Sequence, residues 1–169
     1  MNNYQLDDLE SPPSWEAAPE LDKARKYYEL GYEYESATRL PYNMSKAIKC
    51  YRAAAMLGYP PAQNGIGFLH ATGRGVSLNE EIAISWFSKA AESGHSGAQL
   101  NLGVMYAEGR GAQRDETEAA CCFYKAAMAG NTDAQEFLGQ ALESGLCGLS
   151  QDKEAAAFWY EQASISRRK

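Results

Sequence analysis

Ala98-Gln99-Leu100-Asn101-Leu102-Gly103-Val104-Met105-Tyr106-Ala107-Glu108 runs into Gly109-Arg110-Gly111, and this stretch decides the fold. Ala98, Leu102 and Tyr106 recur at i, i+4 and i+8, the stripe of a helix with one apolar face. Gly109 and Gly111 stop that helix, because glycine enters the left-handed conformation of a helix exit at little steric cost. Asp115 follows as an N-cap. A second helix is expected from about Glu116 to Ala129, with Ala119, Cys122, Phe123, Ala126 and Ala127 on its apolar face. Gly130-Asn131 ends it, and Asp133 opens the next helix. The unit is an antiparallel helix pair.

The same unit recurs every 36 residues. Leu30-Gly31, Ile66-Gly67, Leu102-Gly103 and Leu138-Gly139 align without insertion. So do Ala47, Ala83, Ala119 and Ala155, and then Ala55, Ala91, Ala127 and Ala163. A fixed period in this range marks a solenoid. The expected fold is all-α: a right-handed α-solenoid of four antiparallel helix pairs with 36-residue repeats. Blocks near 26–61, 62–97, 98–133 and 134–169 compose a solenoid over residues 21–169, behind a mobile acidic leader of residues 1–20. The mid-helix glycines cost about 1 kcal/mol each relative to alanine. Their recurrence implies close approach of a neighbouring helix.

The pattern A-x-x-x-L-G-x-x-Y-x-x-G-x-G-V, continued by D-x-x-x-A-x-x-W-Y-x-K-A-A-x-x-G, resembles the Sel-1-like repeat. Gly73-Arg74-Gly75-Val76 and Trp86-Phe87-Ser88-Lys89-Ala90-Ala91 are its most typical pieces. The outer blocks drift: Ala37-Thr38-Arg39 stands where Gly-x-Gly is expected, and Glu161-Gln162 where Lys-Ala is expected. Polar drift at solenoid ends fits capping. The resemblance implies a relative of the tetratricopeptide repeat with a longer inter-helix loop, a concave face lined by the first helix of each pair, and adaptor roles. On that implied face lie Tyr28, Tyr32, Glu35, Asn64, Phe68, Leu100, Val104, Glu136, Gln140 and Glu143. Their order makes the N-terminal two-thirds apolar and the C-terminal third acidic. For Tyr28 and Tyr32, binding and internal packing are equally open.

The chemistry-bearing residues read mostly as scaffold. Gly73-Arg74-Gly75 and Gly109-Arg110-Gly111 lack the G-x-x-x-x-G-K-[ST] pattern and preceding strand of a phosphate loop. Cys50 and Cys122 share a repeat position with Trp86 and Phe158, which makes them packed thiols. Cys121 adjoins Cys122 and Cys147 lies in a loop, so reduced cysteines are expected. His70 replaces a repeat tyrosine, and His95 lies beyond a helix C-terminus, where positive charge is favoured. Neither histidine has partners at ligand spacing, so no metal or other cofactor is expected. No nucleophile–base set is visible.

The formal charge is −6. Asp7, Asp8, Glu10, Glu16 and Glu20 supply much of it, while the body is near neutral and Arg167-Arg168-Lys169 is basic. Without a basic stripe, nucleic acid is not an expected partner. No apolar run is long enough for a membrane span. Met1 to Glu10 is acidic where an export signal is basic and then apolar, so a cytoplasmic protein is expected, and the Sel-1-like resemblance implies a bacterial one. In the leader, Trp15 follows Ser11-Pro12-Pro13-Ser14 and either stays mobile, caps the first pair or fills the groove.

The leading functional expectation is a non-catalytic protein–protein interaction module, binding a partner of basic character in its concave groove. The alternative is a cytoplasmic immunity protein that neutralises a toxin. An enzyme is the remote third class. The sequence leaves the partner's identity and the oligomeric state open.

Overall fold

The chain was analysed as a computed structural model, which describes residues 19–168. Residues 1–18 of the expected leader, with Trp15 and four of its five acids, lie outside the described residues, and Glu20 opens the first helix. Among the described residues there are eight helices and no strand. They are α1 (Glu20–Ser36), α2 (Met44–Met56), α3 (Pro60–Thr72), α4 (Glu80–Glu92), α5 (Ser96–Glu108), α6 (Glu116–Met128), α7 (Thr132–Ser144) and α8 (Lys153–Ser166). First and second helices alternate along the chain, as the period requires.

The helix boundaries follow from their caps. Asn43, Asn79, Asp115 and Asp152 each accept a hydrogen bond from the N–H three residues on, at 2.9–3.0 Å. Each satisfies one of the orphan donors of a helix start. Two expectations change at the first helices. Asn131, not Asp133, caps α7, through Ala134 N–H at 2.9 Å. His95 is the N-cap of α5: its Nδ1 accepts from Ala98 N–H at 3.1 Å. An imidazole that accepts there must be neutral, so an uncharged acceptor at a helix start replaces the positive charge expected at a helix end. Burial lowers the His95 pKa from its ordinary value, in the same direction. At the exits, Gly73 and Gly109 take φ of 69° and 68°, as expected. Ala37 adopts the same left-handed turn in the first pair, at φ 52°.

The chain divides into two compact units, one up to Leu78 and one from Asn79 onward. In the first, α2 packs on both α1 and α3. Its core holds Tyr27, Ala47, Cys50, Ala54, Ile66 and Leu69. Gln63 crosses from α3 to the Ala55 carbonyl of α2 at 3.3 Å. In the second unit each helix from α4 to α8 packs on the next. Ala119, Phe123, Ala126, Leu138, Leu142, Ala156 and Trp159 form its main apolar cluster. Gln99 and Gln135 repeat the crossing of Gln63, reaching the carbonyls of Ala91 and Ala127.

The last pair departs from the 36-residue register. The loops between first and second helices span seven residues at 37–43, 73–79 and 109–115, and eight at 145–152. From Asp152 onward, every repeat position is therefore displaced by one. Ala156, 3% exposed, takes the place of Ala47, Ala83 and Ala119, which Ala155 was expected to fill. Trp159, not Phe158, matches Trp86. Phe158 is instead 52% exposed. Gln162-Ala163, not Glu161-Gln162, matches Lys89-Ala90, and Ala163 is buried like Ala90 and Ala126. Tyr160 matches Tyr51, Phe87 and Phe123.

The mid-helix glycines confirm this shift. A Cβ on Gly31 would lie 2.8 Å from Tyr51, one on Gly103 2.7 Å from Phe123, and one on Gly139 2.6 Å from Tyr160. The close approach expected from sequence is, at Gly31, Gly103 and Gly139, an aromatic ring laid across the glycine.

Candidate functional site

The ten candidate residues fall on first helices, five in each unit. In the first unit, Tyr28 is half-buried, its ring centroid 5.4 Å from those of Tyr51 and Tyr59. The Tyr28 ring thus makes packing contacts within the first unit. Tyr32, one turn along α1, is 56% exposed, and Phe68 of α3 is 46% exposed. These two occupy equivalent repeat positions, each directly after the helix glycine. Asn64 is partly buried on the same helix as Phe68.

Glu35 is held from two sides. Tyr51 Oη donates to Glu35 Oε2 at 2.5 Å, and Arg74 Nη1 lies 3.2 Å from Glu35 Oε1. Arg74 comes from the loop after α3, so the first helix pair receives a guanidinium from the next. Burial, then the hydrogen bond to Glu35, raises the Tyr51 pKa well above its ordinary value, so the phenol stays protonated and donates.

In the second unit, Leu100 and Val104 are partly buried and pack against the apolar cluster. Glu136, Gln140 and Glu143 lie on α7 along one side of a cavity of about 570 Å³. Asp133 and Phe137 line it from the same helix, and Tyr160 lines it from α8. Phe137 packs on Phe123 with ring centroids 4.0 Å apart, which anchors the apolar wall. Tyr160 Oη donates to Glu143 Oε2 at 3.0 Å. Arg167, at the C-terminal end of α8, pairs with Glu136.

Tyr160, Phe137 and Arg167 were missed from the sequence. The misalignment of α8 by one residue hid Tyr160. A gap before Asp152, suggested by the match of Trp159-Tyr160 to Trp86-Phe87, would have revealed it.

The groups suited to reactive chemistry are elsewhere and mostly inert. Burial pushes the thiols of Cys50 and Cys122 up to about 11. Cys121 is exposed, and all four cysteines are free. His70 Nδ1 lies 3.2 Å from the Ser77 carbonyl, a hydrogen bond that ties α3 to its exit loop. Among the described residues, no group of three or more His, Cys, Asp or Glu is placed to hold a metal. No described helix is long and apolar enough to cross a membrane.

The Sel1 repeat family model matches residues 27–59, 60–95, 96–131 and 132–165. The fold is similar to that of c5321, a protective antigen of uropathogenic Escherichia coli strains displaying an SLR fold, at 36% identity and a TM-score of 0.78. That match covers 84% of this chain and 30% of c5321. A Sel1 repeat protein from Oxalobacter formigenes matches at 34% identity and a TM-score of 0.80, over 85% of this chain and 58% of its own. The chain thus spans under two thirds of either relative. Immunity protein Pa5087 from Pseudomonas aeruginosa shares the fold at 17% identity and a TM-score of 0.56, over 85% of this chain and 68% of its own. Among curated proteins, none matches the chain significantly.

Proposed function

The chain belongs to the Sel1 repeat family, whose members are generally protein-interaction modules, and from that premise we propose that it is a non-catalytic module binding a basic protein segment on the faces of its first helices. The observation that carries this reading is the exposure of Tyr32 and Phe68 at equivalent repeat positions. Large rings presented to solvent on a regular scaffold are the material of binding hot spots. They contrast with Tyr28, whose ring is engaged in packing. Within the second unit by itself, the carboxylates of Asp133, Glu136 and Glu143 favour a positively charged ligand.

The test is binding of a purified partner by the double variant Tyr32→Ala/Phe68→Ala. Loss of at least tenfold in affinity, roughly 1.4 kcal/mol, is expected. An unchanged affinity in a folded variant contradicts the reading. Affinity should also fall as salt rises, because rim charges are screened over about 10 Å at 0.1 M.

A second reading, an immunity protein for a basic toxin, is favoured by the same acidic cavity. The fold admits it, since Pa5087 is an immunity protein of this architecture. It requires that a toxin kill cells lacking this chain and spare cells containing it. Equal killing in both removes it.

A further inference from the structure

The first and last helix pairs contain the same two-residue device. In the first pair, Glu35 accepts from Tyr51 and also meets the guanidinium of Arg74. In the last pair, Glu143 stands at the position of Glu35 and accepts from Tyr160, which stands at the position of Tyr51. Among the described residues no cation reaches Glu143. Within that same set of residues, its Oε1, the counterpart of the oxygen that Arg74 meets, makes no hydrogen bond or ion pair. The side chain lies instead on the wall of the cavity of about 570 Å³.

We infer that this cavity is a receptor for an arginine side chain of a partner segment, the Glu143–Tyr160 pair being the open form of the Glu35–Tyr51–Arg74 arrangement. The inference rests on the interaction-module reading and specifies the residue type it recognises. Three features of the cavity fit a guanidinium. The hydrogen bond from Tyr160 fixes one oxygen of Glu143 and orients the other. A planar fork of donors can use that oxygen and the amide of Gln140 together. The rings of Phe137 and Tyr160 supply aromatic surface, on which a guanidinium stacks more readily than an ammonium. Arg167 already places a guanidinium on Glu136 at the same cavity. The chemistry of the occupant is therefore displayed twice within the molecule, at Glu35 and at Glu136.

The test uses the full chain and three capped tripeptides, acetyl-Gly-X-Gly-amide, with X as arginine, lysine or citrulline. Backbone amide shifts of Gln140, Ser144 and Tyr160 are followed by NMR. The arginine peptide should give saturable shifts at these residues. The lysine peptide should bind several-fold more weakly, and the citrulline peptide should leave the spectrum unchanged. Glu143→Gln, which can still accept from Tyr160, should weaken arginine binding at least fivefold while the rest of the spectrum stays native. Equal shifts with citrulline, no shift with arginine, or full binding by Glu143→Gln overturns the inference. Partner binding that is lost in Tyr32→Ala/Phe68→Ala but indifferent to Glu143→Gln would remove the arginine receptor and leave the module reading intact.

Discussion

Tyr160 Oη donates to Glu143 Oε2 at 3.0 Å, across the last helix pair, and Tyr51 makes the same bond to Glu35 across the first. In the third pair, the corresponding residues are Phe123, in the apolar cluster, and Ala107, packed against it. The repeat thus has two interchangeable ways to join its helices at this point, one polar and one apolar. The expected consequence is strong coupling between Tyr51 and Glu35. Tyr51→Phe alone should destabilise by about 1–2 kcal/mol, because a buried-side carboxylate loses its donor. Adding Glu35→Ala should recover part of that loss, since the pair then matches Phe123 and Ala107. Urea denaturation of the two single variants and the double variant measures the coupling. Additive losses would contradict it.

A second prediction concerns acid sensitivity. His95 caps α5 as a neutral acceptor, and burial lowers its pKa below the ordinary 6.5. The unfolded chain therefore takes up the proton first. The contribution to stability is complete above about pH 6.5 and is lost as pH falls through the folded value. Asn131 makes the equivalent cap on α7 without titrating. His95→Asn should keep the cap and flatten the stability profile below about pH 6.5, whereas His95→Ala should lose about 1 kcal/mol at neutral pH. Thermal melts across that range check both. A wild-type profile as flat as that of His95→Asn would count against the assignment.

The helix glycines should differ in tolerance. A Cβ at Gly103 meets the ring of Phe123, which is 1% exposed and has nowhere to move. Gly103→Ala should destabilise by about 1–2 kcal/mol, the overpacking cost offset in part by the better helix propensity of alanine. Gly139→Ala meets Tyr160, which is 40% exposed and can swing outward. It should cost less stability and break the bond to Glu143. Denaturant midpoints rank the two. The opposite ranking would contradict the one-residue shift of α8.

Thiol chemistry separates the cysteines. Cys50 and Cys122 are buried, with pKa values pushed up to about 11, so neither supplies thiolate near neutral pH. Iodoacetamide should modify exposed Cys121 first in the native chain. Cys147, half-buried and with a raised pKa, should follow more slowly. The other two should react only on unfolding. Mass spectrometry of native digests reads the order, and early labelling of Cys50 would contradict the packing of α2.

The helices and most caps were legible because their signals are local. Asp115 and the exit glycines Gly73 and Gly109 act within one turn of where they stand. The period also located the glycine contacts, since a recurring helix cost needs a recurring cause. The eight-residue loop at 145–152 was not legible by counting, because Ala155 and Ala163 sustain the 36-residue match through the insertion by coincidence. Only packing distinguishes Ala156 from Ala155. His95 was misread for a related reason. With three-residue connections such as 93–95, the end of one helix is already the cap of the next. The cavity depended on both points, since it requires Tyr160 in register with α7.

The most direct test of the central proposal is site-specific photo-crosslinking in cells. A benzophenone side chain replaces Tyr32 or Phe68 on first helices, and Met56 or Met128 on second helices, where both methionines are at least 75% exposed. The account predicts that one protein partner is captured from positions 32 and 68 and not from 56 or 128. Capture of the partner from 56 and 128, with none from 32 and 68, would contradict it.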